Sequence, residues 1–478
     1  MFFDLLPEQQ REKIKSYFSL FRDASKLDIF DLAYEFTSES LNTISSDLGS
    51  WSKANGLPRK GIAARIGIFF WHWYKSLIGY WHQKGAAIPP RDFVFVAFSR
   101  NEIDSLKPTY AQMPTALLTG SNGTSFSFPF VWAYALSCAY LPLVVIHFVK
   151  AKGYKKRTFD YVFDQYWLSY GLYLTARIWF RRQRPRALIL ANHIYTYHRV
   201  LYKAARDEHI PTFYFQHAAL PDNTAPMQSD YALLEGRDGL TKLANAGTVR
   251  SRIFLIGMPK FDAHLRYINA QAQVRSLGIC TNGLDPVPRA EQLLVRIREE
   301  FATLALILRP HNGDLRVREW QDLARKCGVE LSDSRTELSF DFLRKVDAII
   351  AGGSNILLEA ALVNVVPIYY DFAETGLDWY GFVRHGLVEG ISTPQVICSV
   401  LRQIAERKPD VRDKAKYYNA TIGTDYDGHS GELAATLIQS LVSDAQVDRS
   451  IWKRIPDVGL EAYELGDDRG GTIGNGSL

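Results

Sequence analysis

Ten short apolar runs, each followed by polar or glycine residues, constrain this chain more than any other feature. The first five are Phe93–Phe98, Ala187–Ala191, Thr212–Phe215, Tyr231–Leu234 and Ile253–Ile256. The second five are Leu277–Cys280, Leu304–Leu308, Val329–Leu331, Ala348–Ala351 and Val365–Tyr370. Continuous rather than alternating apolar character marks strands buried on both faces. Helical stretches lie between them, so strand and helix alternate along the chain. The pattern predicts an α/β fold with two parallel sheets.

Length and composition agree with two cores. The chain has 478 residues, 47% hydrophobic and 22% charged. That excludes global disorder and leaves room for two or three domains. Four cysteines, Cys138, Cys280, Cys327 and Cys398, lie far apart with no CxxC pair. They read as reduced cytosolic thiols, which excludes a disulfide scaffold and argues against a structural zinc site. The expected division is a helical region over 1–90, one α/β domain over 91–270, a second over 271–450 and a partly disordered tail over 451–478. Tyr267–Arg275 reads as the linker.

Aromatic residues reach 13% and the net charge is +5. Ile62–Trp81 mixes Trp, Tyr and Phe with Arg65 and Lys75, a composition suited to a membrane–water interface or to packing on a neighbouring domain. Between Lys107 and Lys150 no charged residue occurs, and Trp132–Val149 is the most apolar part. Core packing, surface docking and a membrane span all remain open for it. Lys150, Lys152, Lys155, Lys156 and Arg157 follow, as expected beside an anionic leaflet. No signal peptide is recognisable at the start, so the expected location is cytoplasmic, peripheral to the membrane. No nucleic-acid motif accompanies the positive charge.

In doubly wound sheets, ligands bind beyond the carboxyl ends of the strands. If two such edges face each other, the cleft between them is the active site. In the second block, Asn282, Arg309, His311 and Asn312 follow strands, and Gly352, Gly353, Ser354 and Asn355 open a helix carrying Glu359. Two glycines, a hydroxyl and free helix-start amides suit a phosphate. Arg309 and His311 would add positive charge, and Glu359 would accept from ribose hydroxyls. In the first block, Asn192, His193, Arg199, His217 and Glu235 lie near strand ends. Glu235 is the best-placed carboxylate for nucleophile or general-base work, with Asp230 and Asp222 as competitors. Asp230 precedes its strand. No GxGxxG, Walker, HExxH or GxSxG sequence is present, and Asp425-Tyr426-Asp427 reads as a loop or helix cap rather than a metal site.

On these residues the chain resembles the GT-B glycosyltransferases that build bacterial capsule and lipopolysaccharide chains. Arg309-Pro310-His311 is similar to the His-Pro type motif of sialyltransferases and Kdo transferases. Gly353-Ser354-Asn355 with Glu359 resembles their motif for the phosphate of a CMP-sugar. Leu234-Glu235-Gly236 resembles their acidic-then-Gly motif, and Gly257-Met258-Pro259-Lys260 resembles capsule-type enzymes, above all retaining β-Kdo transferases. The resemblance covers about Ala187 to Gly431. It implies two facing Rossmann-like domains and a metal-independent transferase with no cofactor beyond a nucleotide-sugar donor, CMP-sugar favoured. It implies a glycan or lipid-linked glycan acceptor. Glu235, with Asp230 and His217 nearby, would be catalytic. Arg309, His311, Asn312, Gly352, Gly353, Ser354, Asn355, Glu359 and Asn282 would bind the donor, and Asn192, His193, Arg199 and Asp222 the acceptor. CDP-glycerol-type polyol-phosphate transferases and nucleotide-sugar epimerases share much of the pattern, and a non-catalytic membrane-associated scaffold is a third expectation.

Overall fold

A computed structural model of the chain describes residues 7–37, 60–82, 91–120, 126–220, 224–247, 249–374, 376–378, 380–391, 393–443, 447–456 and 459–466. They form two compact units. One holds Met1–Ile256 with Gly431–Gly466, and the other Gly257–Ser430.

The first unit begins with α1 (Glu8–Ala24), two short helical turns at Ile29–Leu32 and Tyr34–Thr37, and α2 (Gly61–His82). Strand β1 (Phe93–Ala97), α3 (Arg100–Tyr110), β2 (Ala116–Gly120) and β3 (Phe126–Ser127) follow. Next come α4 (Phe130–Ser137), a 3-10 turn at Cys138–Tyr140, α5 (Leu141–Lys150) and the long α6 (Gly153–Gln183). The sheet is then extended by β4 (Ala187–Leu190), α7 (Thr196–Asp207), β5 (Thr212–Phe215), β6 (Tyr231–Leu234), α8 (Arg237–Asn245) and β7 (Arg252–Leu255).

Long α6 lies against α4, α7 and α2 and is buried over most of its circumference. It therefore shows little helical contrast in sequence, unlike a surface helix. Gly171 makes the close approach to α4 workable: a Cβ there would fall 1.9 Å from the Ala133 carbonyl oxygen.

The second unit contains β8 (Ser276–Thr281), α9 (Val287–Glu300), β9 (Ala305–Pro310), α10 (Val317–Cys327), β10 (Glu330–Leu331), β11 (Ala348–Ala351), α11 (Ile356–Leu362), β12 (Val366–Tyr370), β13 (Gly390–Ile391) and α12 (Pro394–Glu406). Its strands bury alternate residues on opposite faces. Leu277, Ile279, Leu308 and Ile350 join one core, and Cys280, Ile307, Ile349 and Ala351 the other. Each fully buried aliphatic side chain contributes about 1.5–3 kcal/mol of transfer free energy, which explains why both faces of every run had to be apolar.

After the second unit, α13 (Ser430–Val442) leads to β14 (Trp452–Arg454) and β15 (Ala462–Leu465). Here the structure departs from the expected boundaries. Residues 452–465 are not a tail: β15 pairs in parallel with β7 and β14 antiparallel with β15. Tyr267–Arg275 is not a linker either. Asn269 is buried and donates to Val346 O (3.1 Å) and Asp347 Oδ1 (3.1 Å), which ties the segment into the second unit. Division falls at Gly257, whose φ of +80° and crowding by Asn419, Thr421 and Ser430 leave no room for a Cβ.

The first sheet has strand order β14-β15-β7-β6-β5-β4-β1-β2-β3, and the second β10-β9-β8-β11-β12-β13. Every pair except β14–β15 is parallel. In each sheet the chain winds outward one way and then the other. The reversal falls between β1 and β4 in the first and between β8 and β11 in the second. A crevice opens at the carboxyl ends of such a strand pair because the connecting segments leave in opposite directions.

Candidate functional site

The reversal in the second unit collects most of the sequence-predicted donor residues. Cys280 pairs with Ala351 in the register, so Thr281–Asn282 and Gly352–Gly353 leave the sheet side by side. Gly352 faces Asp285: a Cβ there would lie 3.3 Å from Asp285 Oδ1. Gly353 and Asn355 are exposed and Ser354 is half-buried. The amides of Ser354 and Asn355 make no hydrogen bond among the described residues. Helix α11 is seven residues long. Its start therefore offers local free amides more than a macrodipole.

His311 and Asn312 are exposed beyond β9. The His311 amide donates to Thr281 O (2.8 Å), and its ring Nδ1 accepts from the Gly313 amide (3.1 Å). That leaves Nε2 as the outward donor in the neutral ring. Glu359 has an oxygen, Oε2, sealed from solvent without a hydrogen-bond partner among the described residues. Burial pushes its carboxyl above the usual range, opposed by a Ser339 hydrogen bond and the charges of Lys260 and Arg309.

Two donor residues have other work. Arg309 is buried and donates to Ser332 Oγ (2.5 Å) and Glu337 O (2.8 Å), with its guanidinium 4.9 Å from the Phe342 ring centre. It holds the loop after β10 rather than standing open at the sheet edge, where a phosphate was expected to meet it. Asn282 Oδ1 accepts from the Leu284 amide (2.8 Å) and shapes the turn after β8.

Sequence reading missed Asp285. It accepts the Asn282 amide (2.8 Å), and its carboxyl is pushed up to about 6, chiefly by burial, with the Asn282 bond and Arg316 opposing and Asp371 and Asp314 adding. Arg316 bridges this edge by donating to Asp285 O (2.9 Å), Asn282 O (3.1 Å) and Asp314 Oδ2 (2.6 Å). The nearest sequence signal was Asn282-Gly283 directly after an apolar run, a turn placed at a strand's carboxyl end.

The first unit gathers a buried polar cluster at its own reversal. Ser99 caps α3 by accepting the Glu102 amide (3.3 Å), and Glu102 Oε2 accepts the Phe98 amide (2.7 Å) and approaches His198 Nε2 (3.2 Å). Burial raises the Glu102 carboxyl, but the His198 and Phe98 hydrogen bonds and the His198 and His217 charges outweigh it, and the net direction is down. Glu102 and His198 were not expected. Ser99-x-x-Glu102 directly after an apolar run has the spacing of a capping box, a helix-start signal that could have found them.

His193 Nε2 lies 2.9 Å from Thr224 Oγ1, and its ring stands edge-on to Tyr214. Burial, with Arg199, His217 and His198 nearby, lowers His193 to about 3. Glu235 is buried at the end of β6, its amide donating to Gln216 Oε1 (3.0 Å). The Glu235 charge also raises the neighbouring Tyr214 hydroxyl, behind the larger effect of burial. Half-buried His217 completes the group, its carbonyl oxygen 3.5 Å from Ser105 Oγ.

Three residues are engaged in structural contacts. Asp230 is exposed at the amino end of β6 and accepts from the Thr212 amide (2.9 Å) and hydroxyl (2.7 Å). Five residues of strand, about 16 Å, separate it from Glu235. It fastens β5 to β6, which corrects its catalytic assignment. Arg199 is buried against Asp31 (2.9 Å to Oδ1, 2.8 Å to the carbonyl) and Tyr34 and also donates to His193 O (3.2 Å), so it ties the helical layer to the cluster. Asn192 Oδ1 accepts the Ile194 and Tyr195 amides (2.8 and 3.2 Å) and turns the chain into α7. Asp222 lies outside the described residues. Asp427, in the DxD triplet, pairs through both oxygens with Arg412 (2.6 Å each). Among the described residues, no three His, Cys, Asp or Glu side chains are grouped to hold a metal ion.

No protein-family model and no curated protein matches the chain. Among solved structures it is similar to the UDP-GlcNAc 2-epimerase of Neisseria meningitidis bound to UDP-GlcNAc, at 13% identity over 73% of this chain and 99% of that one, with a TM-score of 0.49. Similar too are MurG of Acinetobacter baumannii (12% identity, 73% of this chain, 100% of that one, TM-score 0.42) and the wall teichoic acid polymerase TagF (12%, 75%, 90%, 0.43).

Proposed function

We propose that the chain is a glycosyltransferase of the GT-B type that uses a nucleotide-activated sugar, with a CMP-linked acidic sugar such as Kdo as donor and a growing surface glycan as acceptor. The observation that carries the reading is the edge of the second sheet. Free amides at Ser354 and Asn355 and the Ser354 hydroxyl lie beside a glycine pair, and exposed His311 leaves the same carboxyl edge of the sheet.

Each part has a chemical counterpart in a nucleotide. Amides and a hydroxyl suit phosphate oxygens, and His311 Nε2 donates to the phosphate as charge builds on the leaving group. Preference for CMP and for an acidic sugar rests on the motif resemblance. Glu235 is the proposed catalytic carboxylate. In the retaining course it attacks the anomeric carbon as the nucleotide phosphate departs, and the acceptor hydroxyl later displaces it. His217 is its neighbour for proton movement.

Glu235→Gln tests the assignment because the shape is kept and the charge removed. CMP release from CMP-Kdo in the presence of surface glycan should fall roughly 10²–10⁴-fold, with thermal stability and nucleotide binding unchanged. Wild-type turnover in this variant would refute the role of Glu235.

A further inference from the structure

Helices α2, α4 and α5 of the first unit carry large apolar side chains that the fold leaves uncovered. On α2, Phe70, Trp71, Tyr74, Leu77, Ile78, Tyr80 and Trp81 are exposed, Trp81 to 83%. On α4 and α5 the exposed residues are Trp132, Val145, Ile146 and Val149, the last to 70%. The two sets meet where the Tyr80 and Trp132 rings stand edge to face, 6.4 Å apart. Apolar exposure on this scale marks an interaction surface.

Phe130–Lys150 is, among the described residues, the stretch long and apolar enough to cross a membrane. Yet one side of it is fastened to α6. The Gly171 amide donates to Ser137 Oγ (3.1 Å), and Trp167 Nε1 donates to Ser137 O (2.7 Å). Trp132 on α4, Ala139 in the 3-10 turn and Ile146 on α5 are exposed. Residues bound to α6 and residues left bare describe a segment lying along a surface.

Along the chain segments that build the face, charge has one sign, and Asp28 beside His147 is an acid contributed from outside them. No Asp or Glu occurs between Asp47 and Asp92, or between Asp104 and Asp160. Lys75, Lys150, Lys152, Lys155 and Arg157 are exposed within these intervals. A second copy of the chain docking through the same face would set these cations against each other, because a two-fold interface pairs a patch with itself. Anionic lipid complements them.

We propose that this face docks on an anionic lipid bilayer. The Trp and Tyr side chains lie at head-group depth, the lysines and Arg157 contact lipid phosphates, and Phe130–Lys150 lies in the interface without crossing. The proposal does not depend on the donor site.

The test uses the full chain with vesicles of phosphatidylcholine, alone or mixed with phosphatidylglycerol. The chain should sediment with the mixed vesicles, and added salt should release it. Each basic side chain at an anionic surface is worth a factor of about five, so the Lys150→Gln, Lys152→Gln, Lys155→Gln triple variant should bind roughly a hundredfold more weakly. Trp81→Ser with Trp132→Ser should weaken binding to both vesicles and reduce quenching by brominated lipid. Bromines near the head group should quench more than bromines at the bilayer centre. Both variants should keep the wild-type melting temperature and nucleotide response. No sedimentation with mixed vesicles at low salt would overturn the proposal, and so would a concentration-dependent dimer that the Trp substitutions dissolve. Stronger quenching from the bilayer centre would overturn the interfacial placement.

Discussion

His193 shows how a single side chain in the first unit links burial to acid stability. Its ring is buried against Thr224 and Tyr214, Arg199 donates to its carbonyl, and burial lowers its pKa to about 3 from 6.5. With the folded value below the unfolded one, the unfolded chain takes the proton first. The stability tied to neutral His193 is complete above pH 6.5 and is lost as pH falls from 6.5 towards 3, at up to about 1.4 kcal/mol per pH unit. Glu35, Asp164 and Asp285, raised by burial to about 8, 6 and 6, titrate in the opposite sense. The informative quantity is therefore the difference between the wild type and His193→Gln. Urea unfolding between pH 7 and pH 4 should give a shallower acid loss in the variant, and equal slopes would show that His193 does not titrate this way. At this scale the sequence told which residues follow strands, and it identified His311, Ser354 and Glu235 as edge residues. It did not tell which side chains were already engaged. Arg309, Arg199 and Asp230 have the right chemistry, but Glu337, Asp31 and Thr212 hold them. Those partners are distant in sequence or join the group through folding.

Among elements, the strands were the most legible and α6 the least. A parallel strand buried on both faces is a short uninterrupted apolar run, and β4, β5, β6 and β11 match their runs within a residue. Helix α6 is wrapped by other helices, so its 31 residues mix Tyr, Trp and Leu around the whole circumference. Its fit to α4 through Gly171 makes a test. Gly171→Ala forces a Cβ onto the Ala133 carbonyl and should cost about 1–3 kcal/mol or more, as overpacking does. Gly67→Ala on α2 meets nothing within 4 Å and should gain about 0.5–1 kcal/mol from helix propensity. Equal melting temperatures for the two variants would contradict the close α4–α6 approach.

For the whole molecule, strand order decides where chemistry can happen. Two sheets reverse their winding, at β1/β4 and β8/β11, and each reversal gathers polar residues that the sequence scatters, from Ser99 to Glu235 in the first and from Asn282 to Glu359 in the second. Alternation of runs revealed two sheets. It did not reveal that β14 and β15 return to the first, because those strands are short, and β14 is half-exposed. The central claim is that the β8/β11 edge binds a nucleotide. Thermal unfolding with CMP, CDP, UDP and GDP tests it directly, because a ligand specific to the folded state adds about 2.7 kcal/mol at a hundred times its Kd. A rise in melting temperature with CMP that His311→Ala and Ser354→Ala each diminish is the predicted result. A rise with UDP and none with CMP would contradict the CMP-sugar assignment, and no response to any of the four nucleotides would contradict the site itself.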